Sequence, residues 1–175
     1  MSAPAPILEA LSGPHAPAAA ARARRRRIKS HLLGDLAVPA DAVLEFPDGL
    51  FGFPSCKEWV LVATERAGWC WLHSAEHPAL AFLLVDPFTQ FPAFAVDLTA
   101  QDLAVLGVSS ATQVAVFAIV TLPRAAGDAP TVNLSGPVAI ALPSRRGRQL
   151  VLNDARFDAR TALAQVPGGA DDTDS

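Results

Sequence analysis

Along residues 41–165 the apolar positions fall in short runs of Val, Leu, Ile, Phe and Ala, each closed by Pro, Gly or a polar cluster. That punctuation predicts strands over residues 41–46, 58–64, 69–73, 81–86, 93–96, 113–121, 131–134, 138–142 and 149–152. Residues 47–55 and the Pro/Gly-rich residues 122–130 read as loops. One stretch follows a different rule. Over residues 99–107, Thr99 stands where a helix cap belongs, Asp102 follows three residues later, and Gly107 suits a left-handed exit. A short surface helix is expected there. Strands at intervals of about ten residues favour an antiparallel barrel or sandwich, because parallel neighbours each need a helix-length crossover. The predicted fold class is therefore all-β and mainly antiparallel, a small barrel-like domain over residues 41–165 with one short helix.

Outside that span the pattern fades. Residues 1–30 are mostly Ala, Pro and Arg and cannot bury enough surface to offset the entropy of ordering. They predict a disordered basic tail, reaching to residue 40 where the first expected strand begins. Residues 166–175, rich in Gly and Asp, predict a flexible acidic tail. The 175 residues suffice for one domain burying about two-thirds of its unfolded surface. No apolar run approaches the roughly 18–20 residues of a membrane-spanning helix, so a soluble protein is expected.

Charge divides the chain in two. The net charge is -3, yet residues 1–30 hold six basic side chains against Glu9 alone, a balance of +5. The remainder holds eight basic and sixteen acidic groups, a balance of -8. An acidic body favours basic protein partners and disfavours direct nucleic-acid binding. The Arg-rich run has three open readings: an inert solvated tail, a patch for RNA or an anionic surface, and an organelle transit peptide. Cys56 and Cys70 are too few for a disulfide framework and read as reduced thiols in the cytoplasm.

The sequence offers little chemistry. His73 and His77 flank Glu76, but a strand precedes them and Pro78 ends the segment, so the helix face that would unite them on a metal is missing. Ser74 beside His73 points to the opposite face of a strand and lacks a Gly-x-Ser-x-Gly elbow; it reads as bonding a turn backbone. No phosphate-cradling Gly motif occurs. Asn133, polar between apolar neighbours, reads either as satisfying loop backbone or as a rim contact for a partner. Of Trp69 and Trp71, one is expected in the core while the other covers a strand or meets a partner. No cofactor, metal or small-molecule substrate is implied.

Several segments, in order, carry a resemblance. They are Glu45-Phe46-Pro47-Asp48-Gly49-Leu50-Phe51-Gly52-Phe53, Leu72-His73-Ser74, Ala81-Phe82-Leu83-Leu84-Val85-Asp86-Pro87, the run from Gln113 to Thr121, Thr131-Val132-Asn133-Leu134-Ser135-Gly136-Pro137 with Val138-Ala139-Ile140, and Gly147-Arg148-Gln149-Leu150-Val151-Leu152. Over about residues 42–163 the chain resembles the flagellar assembly factor family of the FliW type. The resemblance implies a cytoplasmic, non-catalytic β-barrel-like protein with two partners, flagellin held before export and the RNA-binding translational repressor CsrA. It implies partner switching: with flagellin bound, the repressor is free to silence flagellin messenger RNA, and once flagellin is exported the factor sequesters the repressor. Candidate partner contacts are Phe46, Pro47, Asp48, Leu50, Phe51, Phe53, Ser74 and Asn133, with Gly49 and Gly52 reversing the chain and Phe46, Leu50 and Phe53 reaching the core. The sequence departs from the family at His73, where Gln is common, at Ser135, where Ala is common, at Phe157, where Tyr is common, and in its Arg-rich amino end. Two other readings compete. One is a generic β-barrel interaction module using the arginine arm on RNA or an anionic surface; the other is an enzyme using His73, Ser74 and His77.

Overall fold

Ten strands and two short helices make up the computed structural model, which describes residues 24–163. Seven strands close into a barrel. They are β3 (Leu44–Glu45), β4 (Glu58–Ala63), β5 (Trp69–Ser74), β6 (Ala81–Val85), β7 (Val114–Thr121), β8 (Thr131–Ala141) and β9 (Arg146–Gln149). From β3 to β8 each strand lies antiparallel to the next, and β9 returns antiparallel along β8. Closure comes from one parallel contact, Glu45 opposite Arg146, where the Glu45 N–H donates to the Arg145 carbonyl at 2.8 Å. The barrel thus leaves no edge between its first and last strands.

Barrel closure explains why the central strands read as continuous apolar runs. Leu44, Phe46, Trp59, Cys70, Leu72, Leu84, Ala115, Phe117, Val138 and Ile140 come from strands all around the ring and fill its interior. The alternate residues Trp69, Leu83, Val85, Val116, Val120, Val132 and Ala139 form a second core on the outside. That outer face is covered by the helical turn α1 (Pro87–Gln90), helix α2 (Ala100–Leu106) and the last described strand, β10 (Thr161–Ala162), which pairs with β8. Strands buried on both faces lose the polar-apolar alternation of a half-solvated sheet.

Helix α2 forms as the sequence predicts. Thr99 Oγ1 accepts from the Asp102 N–H at 3.1 Å, the Asp102 carboxylate accepts from the Thr99 N–H at 2.9 Å, and Gly107 takes a left-handed φ of 69°. Other expectations need correction. Residues 93–96 form no strand: Phe94 stacks between Phe88 and Phe157, at 5.2 and 5.1 Å between ring centroids, so its burial reflects packing and not pairing. Residues 131–134 and 138–142 join into the single strand β8 despite Gly136-Pro137, its irregularity absorbed by a register shift opposite Phe117 and Ile119. The last predicted strand moves forward from residues 149–152 to Arg146–Gln149, and the first shrinks to Leu44–Glu45 behind a 3-10 turn at Ala40–Ala42.

The expected tail at residues 1–40 is also shorter than the sequence suggests. Arg25–Ile28 (β1) pairs antiparallel with Leu36–Pro39 (β2) in a separate two-stranded ribbon. Alternation turns Arg26 and Ile28 toward the body, where Arg26 bonds Glu58 at 2.7 Å and Ile28 is fully buried. The His31 N–H donates to the Pro78 carbonyl at 2.9 Å and fixes the ribbon's far end. A basic run becomes a strand because the body supplies a carboxylate and an apolar seat. The parts of the two predicted tails at residues 1–23 and 166–175 lie outside the described residues.

Candidate partner-binding surface

Phe46, Pro47, Asp48, Gly49, Leu50, Phe51, Gly52 and Phe53 form a loop anchored at one end inside the barrel. Phe46 is fully buried, with its ring 6.1 Å from that of Trp59 and seated over Gly147, where a Cβ would collide with it. The Gly49 N–H then donates to the Phe46 carbonyl at 2.9 Å, and the Phe53 N–H to the Leu50 carbonyl at 2.8 Å, closing a tight turn. Gly49 sits at φ 65°, and a Cβ there would run into the Phe53 carbonyl and lie 2.8 Å from the Pro54 Cα. Glycine is required at that point both by conformation and by space.

The turn directs aromatics outward. Phe51 at its tip is 57 % exposed and Phe53 is 37 % exposed. Phe53 packs edge-on against Phe82 at 5.6 Å, and Phe82 in turn lies 5.8 Å from Trp59. An aromatic chain therefore runs from the barrel interior to the surface. Exposed aromatics on a rigid support are the usual anchors of protein interfaces.

A polar clamp fixes the tip from the other side. Gln149 Oε1 accepts from the Phe51 N–H at 2.9 Å, while its Nε2 donates to the Gly136 carbonyl at 2.9 Å. Asn133 Oδ1 accepts from the Ser135 N–H, the Ser135 hydroxyl and the Gly136 N–H, at 3.1, 3.1 and 2.9 Å. These bonds satisfy the groups left free by the irregular centre of β8. A Cβ on Gly136 would come within 3.1 Å of Asn133 Nδ2 and 3.2 Å of Gln149 Nε2, so the small residue is what lets both amides meet. Val151, two residues beyond Gln149, is exposed.

The structure sorts the predicted contact residues. Asp48, Phe51 and Phe53 are exposed, and Pro47 and Asn133 are half-buried. Phe46 and Leu50 lie in the barrel core as expected, whereas Phe53, also expected there, reaches the surface. Ser74 is fully buried and distant in role: its hydroxyl accepts from the Glu76 and His77 N–H groups at 3.1 and 3.0 Å, shaping a turn. Phe46, Leu50 and Ser74 therefore support a surface and do not form it. Trp69 is core and Trp71 half-buried, the division that alternation predicts. The clamp of Gln149 and Gly136 and the link through Phe82 were not predicted as functional. The available signal was a lone amide, Gln149, standing directly before the apolar run Leu150-Val151-Leu152.

Around this surface the ionisable groups serve structure. Lys57 Nζ donates to the Pro47 carbonyl at 2.7 Å, and the Glu76 carboxylate accepts from the N–H groups of Lys57 and Glu58 at 2.7 and 3.1 Å. The hydrogen bond from Arg26 holds the Glu58 carboxyl below the usual carboxylate range. His73 is buried, with Nδ1–H donating to the Ser74 carbonyl at 2.6 Å, while His77 is exposed. The two histidines thus diverge. Among the described residues no group of three or more His, Cys, Asp or Glu side chains is placed to hold a metal. Cys56 and Cys70 are both buried free thiols, and burial pushes Cys70 up to about 12. No described helix is long and apolar enough to cross a membrane.

The chain and its fold have known relatives. A family model described as FliW protein matches residues 27–163. A flagellar assembly factor FliW of Symbiobacterium thermophilum is 41 % identical over 133 residues, covering 75 % of this chain and 94 % of the relative. That of Natranaerobius thermophilus is 33 % identical over 143 residues, covering 81 % and 95 %. A crystal structure of the flagellar assembly factor FliW superposes with a TM-score of 0.72 at 30 % identity, covering 80 % of this chain and 98 % of that one.

Proposed function

This chain belongs to the FliW family of flagellar assembly factors, and from that membership we propose that it is a cytoplasmic binding protein for flagellin and for the repressor CsrA. Flagellin and CsrA occupy it in exchange, so that export of flagellin frees the factor to sequester the repressor and relieve repression of flagellin messenger RNA. The observation that carries a binding role is the loop tip: Phe51 and Phe53 stand exposed on a turn that Gly49, Gln149 and the Phe82 contact hold in one shape. Preorganised aromatics bind at low entropic cost, which suits a factor that must take up and release whole proteins. The balance of -8 beyond residue 30 supports the repressor as the second partner, since an RNA-binding protein presents basic surface and complementary charge speeds docking.

The test is direct. Purified full chain is mixed with flagellin of its own cell, and separately with CsrA, and followed by size-exclusion chromatography and calorimetry. Stable complexes at micromolar concentration are expected with both. Absence of both complexes overturns the assignment.

One observation favours a second reading. Arg25 and Arg27 are exposed on one face of β1, and Lys29, just past its end, is exposed as well, a cluster of cations able to meet phosphates. On that reading the chain is an interaction module that grips RNA or an anionic surface through its amino-terminal arginines. It predicts a steeply salt-dependent RNA affinity that Arg25→Ala/Arg27→Ala/Lys29→Ala abolishes; salt-independent or absent RNA binding counts against it.

A further inference from the structure

The β6–β7 ladder stops before its strands do. Its pairs are Leu83 with Val120, Leu84 with Ile119 and Val85 with Ala118, whereas β6 begins at Ala81 and β7 runs on to Thr121. Alternation decides where the remaining backbone groups point. The Ser74 N–H donates to the Leu80 carbonyl, so Leu80, Phe82 and Leu84 turn their backbone groups toward β5, and Ala81, Leu83 and Val85 turn theirs toward β7. On the facing strand Val120 turns toward β6, and Leu122 follows it by the same parity. Ala81 and the N–H of Leu122, the residue just past β7, therefore face each other across a gap that no ladder pair bridges. Strand edges left open in this way are templates for an added chain.

The gap is also a cleft. It has a volume of about 330 Å³, walled by Trp71, Phe82, Ile119 and Leu122 with Arg124 at its rim. Leu122 is 44 % exposed, so an apolar wall stands open to water. Arg124 is the one charged side chain in the lining, and among the described residues it forms no ion pair. Phe82 belongs both to this cleft and to the aromatic chain under the loop tip, so the cleft continues the surface built by Phe53.

Each feature constrains an occupant. Open backbone edges call for an extended chain, apolar walls for apolar side chains, and a lone cation at the rim for a carboxylate. We propose that the open end of the β6–β7 seam receives an extended peptide segment of a protein partner, apolar in sequence and carrying an acidic residue that meets Arg124. This site rests on the partner-binding reading above and assigns it a second point of attachment, beside the loop tip.

The experiment uses the full chain and two surface variants, Leu122→Asp and Arg124→Glu, whose melting temperatures are expected to match the wild type. Each is titrated by calorimetry with flagellin and with CsrA, and backbone hydrogen exchange is followed in the wild-type complexes. Binding of one partner is expected to weaken at least ten-fold in both variants, and the Ala81 and Leu122 amides to exchange more slowly in that complex. Unchanged affinity for both partners, or no slowing at those amides, overturns the seam site and leaves the partner reading standing. Failure of the wild type to bind either partner overturns both. A wild-type dimer in sedimentation that Leu122→Asp dissociates gives the seam to a second copy, and likewise overturns a partner segment.

Discussion

At Gln149 one amide holds two segments in place, accepting from Phe51 and donating to Gly136. Replacing it with Ala leaves the buried Gly136 carbonyl without a donor and frees the loop tip. Loss of such a bond costs about 1–3 kcal/mol, so Gln149→Ala is expected to lower the urea midpoint while keeping a cooperative transition, and to weaken partner binding beyond that loss. An unchanged midpoint with unchanged binding would remove the clamp from the account. Cys70 makes a simpler case. Its thiol, pushed up to about 12 by burial, stays neutral in the native state at pH 8, where an unfolded thiol already ionises in part. Ellman's reagent is therefore expected to leave Cys70 unmodified in native protein and to react at once in denaturant. A folded pKa above the unfolded one also means that this contribution to stability is lost as pH rises, beginning near pH 8–9 where the unfolded thiol ionises. Legibility at this scale depends on reach in sequence. The Gly49 turn is local and its glycine visible beforehand, whereas the partner of Gln149 lies 98 residues away and nothing in the intervening sequence announces it.

Among the elements, β1 shows most clearly what the tertiary setting adds. Three consecutive arginines and one isoleucine give no strand period, and it is pairing with β2, Glu58 and the buried seat of Ile28 that turn Arg25–Ile28 into one. The Arg26–Glu58 pair is part-exposed, so its worth is at most about 1 kcal/mol. Arg26 lowers the folded pKa of Glu58, which places that stabilisation above the unfolded carboxylate value and removes it as pH falls through the folded one. Arg26→Ala is accordingly expected to be slightly less stable than wild type at pH 7, with the difference closing in acid. A difference that persists at pH 3 would locate the effect in packing instead. Helix α2 stands at the opposite extreme. Its cap, its Asp102 and its Gly107 are all local, and it forms where the sequence places it. Strand β8 lies between the two, because the Gly136-Pro137 break visible in sequence is repaired by Asn133 and by Gln149 from another strand.

For the whole molecule the decisive contact is the parallel meeting of β3 and β9, which turns a meander into a barrel. The all-β class and the antiparallel order were readable from turn spacing, but the strand count was not, and neither was closure, since it joins a two-residue strand to one about a hundred residues later. Closure also seats Phe46 over Gly147 and so fixes the root of the loop that carries Phe51 and Phe53. The acidic body and the basic ribbon complete the picture: a closed scaffold with an exposed aromatic tip and opposite charge on its two parts. The central claim is that this tip binds. Calorimetry of the Phe51→Ser/Phe53→Ser double variant against flagellin and CsrA tests it, with melting temperature as the control for folding. Affinity for one partner is expected to fall at least ten-fold with the barrel still folded; affinities equal to wild type for both would mean that the tip does not bind.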